Sequence, residues 1–177
     1  IAKDLFPEFV VRVYACDSLP LDFLRKIEKL NADIYLKKST YRFEGLFWRF
    51  LPLEQDHEVV LCRDTDTRLA ERERWIYDDF YSSKRNYHSI RDAPGCRNVL
   101  LGGSWGSKKI IKIDIQKVWE RWCSKQYKNK DGYLWDIDFL RRHIYPLIRN
   151  DLIVYTDHVI FEGESDIETC YLGFFDK

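Results

Sequence analysis

A short apolar, β-branched run, Glu58-Val59-Val60-Leu61-Cys62, breaks off into Arg63-Asp64-Thr65-Asp66-Thr67-Arg68, and a helical pattern begins at once. Strand, charged turn, helix is how open α/β sheets bring ligand-binding groups to the carboxyl ends of their strands. If Asp64 and Asp66 both lie in extended backbone, their spacing of two puts the side chains on one side. Two carboxylates there repel unless a positive charge sits between them. Their hard oxygens favour Mg²⁺ or Mn²⁺ as that charge. The plainer alternative is a helix cap beside a surface ion pair, and the spacing alone does not separate the two.

The rest of the chain supplies a frame for that turn. Phe9 to Ala15 reads as a strand. Ser18 and Pro20 carry helix-start chemistry, and Phe23, Leu24, Ile27 and Leu30 form a stripe expected to be buried. Ala32 to Leu36 is a second strand candidate, which completes a βαβ unit and so requires parallel strands. A basic loop over 37–42 leads to Gly45-Leu46-Phe47-Trp48-Arg49-Phe50-Leu51, expected as a buried helix against the sheet. Leu69, Ile76 and Phe80 predict a helix with Glu71 and Glu73 in its first turn, where the dipole favours acids. Asn86 to Ile90 reads as a strand; Ile115, Val118, Trp119 and Trp122 mark a helix; Ile137, Leu140, Ile144 and Leu147 mark another, ending near Asn150. Leu152 to Tyr155 is the last strand expected, and the acidic, aromatic segment from Phe161 matches no element pattern. The expectation is therefore a single α/β domain over 1–177, with a mainly parallel central sheet flanked by helices.

Composition narrows the function. Lys and Arg number 29, Asp and Glu 29, so no net field favours nucleic acid or an anionic membrane, and any anion must be held by a local cluster. No run approaches the roughly 18 apolar residues of a membrane span. The five cysteines lie far apart without a Cys-x-x-Cys pair, which points to reduced thiols in a cytoplasmic setting, not to a zinc site or a disulfide frame. The chain starts at Ile1 and contains no methionine, so it reads as a fragment with any upstream targeting signal out of view.

Four segments at element ends attract functional readings: 63–68, 91–106, 133–136 and 156–158. Gly102, Gly103 and Gly106 suit either a tight turn or a ligand that approaches the backbone and stacks on Trp105. Asp136 is either an N-cap or a site carboxylate. His158 is either a surface histidine or a metal ligand, and His57, His88 and His143 suggest no constellation. Lys108 and Lys109 stand close enough behind the glycines to reach a phosphate.

Taken together, Phe47 to Leu51, Arg63 to Arg68, Arg72-Glu73, His88 to Asp92, Leu101 to Gly106 and Trp135 to Leu140 resemble a family of nucleotide-sugar glycosyltransferases with a GT-A-type fold. The likeness runs in order from about Phe6 to about His158. It implies a metal-dependent transferase moving a sugar from a nucleotide-sugar donor to a hydroxyl of a glycan or other acceptor. It implies that Asp64 and Asp66 form an Asp-x-Asp motif holding Mn²⁺ or Mg²⁺, with His158 the candidate for the histidine that completes such sites. Arg63, Arg68 and Lys108 would face the diphosphate, Gly102, Gly103 and Trp105 would border sugar and acceptor, and Asp136 would act as base or acceptor anchor. Ile137 stands where such proteins carry Gln, and Thr156-Asp157-His158 where they carry His-Asp. On this likeness, the N-terminal strand and loop that hold the nucleotide base are expected to be missing before Ile1.

Two other readings compete. The same likeness, with those departures, fits a degenerate transferase-like domain that binds a sugar or a protein. Haloacid-dehalogenase-type phosphatases also use Asp-x-Asp after an apolar strand, but they want Thr or Val where this chain has Arg68, and a Gly-Asp-x-x-x-Asp motif is absent.

Overall fold

The computed structural model describes residues 1–39, 43–91, 97–126, 134–157 and 160–172. After a short helix α1 (Ala2–Leu5), the expected βαβ unit is present: β1 (Arg12–Cys16), α2 (Leu21–Glu28) and β2 (Asp33–Lys37), with β1 and β2 parallel. They form a two-stranded sheet of their own. A ribbon this narrow covers one row of the helix, so Leu24 is buried while Phe23 and Leu30, expected beside it, stay 50% and 73% exposed. Ser18 does not cap α2 either; the helix starts at the Pro20 boundary without a side-chain cap, and the Ser18 hydroxyl turns to Cys16 Sγ at 3.0 Å.

Among the described residues the main sheet has five strands in the order β3 (Val60–Arg63), β5 (Ser104–Ser107), β4 (Tyr87–Arg91), β6 (Leu152–Thr156), β7 (Glu168–Tyr171). β5 runs antiparallel to both β3 and β4, whereas β4, β6 and β7 are mutually parallel. The sheet is thus mixed, and the mainly parallel sheet expected from the sequence is corrected. The cause is the glycine-dense stretch: it turns only as far as Gly103 and then becomes a strand wedged between β3 and β4. Gly106 makes that wedge possible, since a Cβ there would lie 2.6 Å from His88 Nε2 and 2.7 Å from the Val60 carbonyl oxygen. β7 was not anticipated at all; it extends the parallel half of the sheet from the segment after Phe161.

Each face of the sheet has its own cover. One face meets an aromatic core built from α3 (Gly45–Trp48), the 3₁₀ turn Leu51–Glu54 that follows it, α5 (Ile115–Gln126) and α6 (Trp135–Phe139). There Phe47 stacks on Trp119 at 4.1 Å between ring centres, with Phe139 edge-on to both. The other face packs on α4 (Glu71–Ser82) through Ile76 and Phe80, which meet Ile90, Ile153 and Tyr155. As expected, Glu71 and Glu73 open α4, and the Glu73 carboxylate accepts the Ala70 N–H at 3.0 Å. The last helical region is not continuous. A π-turn over Leu140–Ile144 separates α6 from α7 (Tyr145–Ile148). The widened turn makes the buried row step by four, through Leu140, Ile144 and Ile148, so Leu147, expected in the stripe, is 58% exposed.

Among the described residues no helix is long and apolar enough to cross a membrane. Cys16, Cys62, Cys123 and Cys170 are free thiols, and Cys96 lies outside the described residues.

Candidate functional site

Side chains alternate along β3, so Cys62 enters the aromatic core while Arg63 faces α4. Extended backbone ends at Arg63, and Asp64 emerges on the core side. The pairing of Arg63 with Ser104 sets the glycine turn directly beside it. A Cβ on Gly103 would lie 2.2 Å from Asp64 Oδ2 and 2.5 Å from the Asp64 backbone nitrogen. A Cβ on Gly102 would lie 2.6 Å from Asp136 Oδ2 and 2.8 Å from Arg49 Nη2. Three segments remote in sequence therefore converge with a fourth, the one carrying Arg49.

Arg49 is the hub. Its Nη1 donates to Asp64 Oδ1, its Nη2 to Asp136 Oδ2 at 2.9 Å, and its Nε to the Leu46 carbonyl at 2.8 Å. The side chains of Arg49 and Asp136 are 16% and 7% exposed, that of Asp64 41%. Burial raises the Asp136 carboxyl above its ordinary value, a push that the Arg49 charge and the backbone N–H groups of Ile137 and Asp136 oppose. Asp136 is no N-cap: that place belongs to Leu134, in left-handed backbone at φ 77°, and Asp136 sits inside the first turn of α6.

The other residues singled out from the sequence fall elsewhere. Asp66 is exposed within a turn, so it does not share a side of extended backbone with Asp64. Arg68 is exposed. Arg63 donates to Glu73 Oε1 at 3.4 Å on the α4 face, away from Arg49. Trp105, expected as a stacking platform, is 1% exposed in the aromatic core, with Phe50 at 6.0 Å. Lys108, expected near the diphosphate, lies past the end of β5 that pairs with Val60, at the opposite end of β3 from Asp64. Its Nζ donates to the carbonyls of Phe80, Tyr81 and Ser83 and so closes the C-terminus of α4. His158 lies outside the described residues.

These carboxylates do not fit a two-Asp chelate for Mn²⁺ or Mg²⁺, because Asp64 is held by Arg49 and packed on Gly103 while Asp66 projects from the turn. Among the described residues no group of three or more His, Cys, Asp or Glu is placed to hold a metal ion. Arg49 lies in the apolar run Phe47 to Leu51, whose local pattern marks core and gives no role to the arginine. The available signal was the arginine itself: a guanidinium inside a buried run must find a buried acid. No protein-family model, curated protein or solved structure matches this chain.

Proposed function

We propose that the chain is a glycosyltransferase-like domain of GT-A type, moving a sugar from a nucleotide-sugar donor to the hydroxyl of a glycan or other acceptor. The observation that carries this reading is the convergence of Arg49, Asp64, Gly102, Gly103 and Asp136, four of the resembling segments, at the carboxyl end of β3. Strand ends of α/β sheets are where such folds hold their ligands. In this reading Asp136 anchors or deprotonates the acceptor hydroxyl, burial making its carboxylate a stronger proton acceptor than an exposed aspartate. Arg49 orients it through Nη2. Asp66, the exposed carboxylate of the pair, is the one residue of the two that would hold a divalent ion brought in with the donor. Bound there, it would supply charge neutralisation to the leaving diphosphate.

Thermal shift against a panel of nucleoside diphosphates, with and without Mn²⁺, tests the proposal. A nucleotide at about 100 times its Kd stabilises the fold by about 2.7 kcal/mol, and so raises Tm. No shift with any nucleotide removes the transferase reading. The closed contacts of Asp64 and Asp136 favour one alternative, a non-catalytic domain that binds a sugar. A nucleotide-induced shift without any turnover of nucleotide sugar selects it.

A further inference from the structure

We infer that Arg49 occupies, at Asp64, the place a divalent cation would take, so that Asp64 is a clamp residue and not a metal ligand in the free protein. Two acids brought together from separate segments need a cation between them, and this fold carries one covalently. The guanidinium fork matches the demand: one nitrogen reaches Asp64, the other Asp136, and Nε is fixed on the Leu46 carbonyl at 2.8 Å, where the short helix α3 holds it. The glycine pair is the second, independent observation. Neither Gly102 nor Gly103 has the positive φ that would demand glycine for backbone reasons; among the described residues Gly163 is the one glycine that has it. What the two positions lack is room, since a Cβ would come within 2.2 to 2.8 Å of the clamp's carboxylates and guanidinium. The missing Cβ atoms thus make space for the clamp itself, not for a ligand. Arg49 is accordingly a positioning residue: it fixes Asp136 relative to the acidic turn and withdraws Asp64 from cation binding.

The inference borrows from the transferase reading only the kind of cation to test, so the experiment uses Mn²⁺ alone, without nucleotide or turnover. Mn²⁺ binding to the full chain is measured by the electron paramagnetic resonance signal of the free ion. Asp64→Asn is expected to leave Mn²⁺ affinity as in the unsubstituted protein. Arg49→Gln, which frees both acids, is expected to tighten Mn²⁺ binding about tenfold, the scale of coupling between directly contacting groups. Weaker Mn²⁺ binding in Asp64→Asn would overturn the inference, as would unchanged binding in a folded Arg49→Gln. Should Arg49→Gln fail to fold by circular dichroism, Arg49→Met keeps the apolar stem while removing the charge and the fork, and the same two outcomes decide. A protein that shows no nucleotide shift yet gains Mn²⁺ affinity in Arg49→Gln loses the transferase reading and keeps the clamp.

Discussion

Arg91 on β4 and Glu164, 73 positions later, meet in a two-point ion pair, Nη1 to Oε2 at 2.6 Å and Nη2 to Oε1 at 2.9 Å, with side chains 0% and 5% exposed. Arg91 Nε also donates to the Val99 carbonyl, and the Tyr145 hydroxyl and Phe161 N–H both donate to Glu164. One buried carboxylate thereby ties β4, α7 and the segment leading to β7. Removing one member leaves the other charge buried alone, so Glu164→Ala is expected to cost about 3–5 kcal/mol in urea unfolding. Replacing both, Arg91→Met with Glu164→Leu, is expected to cost less than the sum of the single changes. Strict additivity would mean the pair is not coupled.

The same region sets the response to acid. Burial pushes the Glu164 carboxyl up, but the hydrogen bonds from Arg91 and Tyr145 outweigh it and hold the group below its ordinary value. Its contribution is complete above the unfolded value of 4.5 and is lost as pH falls through the depressed native one. His88 acts earlier. Burial, helped by the Arg63 and Lys108 charges, lowers it from 6.5 to about 3, so the fold keeps it neutral while the unfolded chain takes up a proton below 6.5. Urea midpoints are expected to fall from pH 7 to pH 5, and Glu164→Gln to leave that limb intact. A His88→Gln variant that falls just as steeply would refute the histidine assignment.

Gly103→Ala and Gly102→Ala separate backbone from side-chain crowding. The alanine Cβ at 103 meets the Asp64 backbone nitrogen at 2.5 Å, which cannot swing aside. The one at 102 meets the ends of Asp136 and Arg49, which can yield at the expense of their hydrogen bond. Both are expected to destabilise by about 1–3 kcal/mol, with 103 the costlier, in thermal or urea unfolding. A neutral Gly103→Ala would show that the turn sits further from β3 than the structure has it.

What could be read in the sequence follows from how locally each feature is encoded. β3 and β6 are rich in Val, Ile and Leu, β4 carries Tyr87 and Ile90, and α4 and α5 repeat apolar residues at helical spacing, so local pattern alone places them. β5 escaped notice because Ser104-Trp105-Gly106-Ser107 has turn composition; it is a strand only because β3 and β4 leave a slot that glycine can enter. β7 escaped because Glu168-Thr169-Cys170-Tyr171 is an edge strand with no fully buried residue to mark it. In the site, Asp64, Gly102, Gly103 and Asp136 were named from the sequence, and the structure brings them together. Their common partner was not named, because the contact between Arg49 and Asp136 spans 87 positions and leaves no local trace.

Lys108 offers the clearest test of a reassigned residue. As a phosphate ligand it would have to project freely toward the donor. Instead its ammonium is drawn onto three carbonyls at the end of α4 and lies over the Phe80 ring at 4.6 Å, where burial lowers its pKa. Four carbonyls at a helix C-terminus have no partner within the helix, and a cation there satisfies them while opposing the dipole. Lys108→Met keeps the apolar stem but removes the donors, and is expected to destabilise by about 1–3 kcal/mol. Any nucleotide-induced rise in Tm should be as large in the variant as in the parent, since the residue stands at the far end of β3 from Asp64. Loss of that rise with stability unchanged would return Lys108 to the ligand and leave the end of α4 to water.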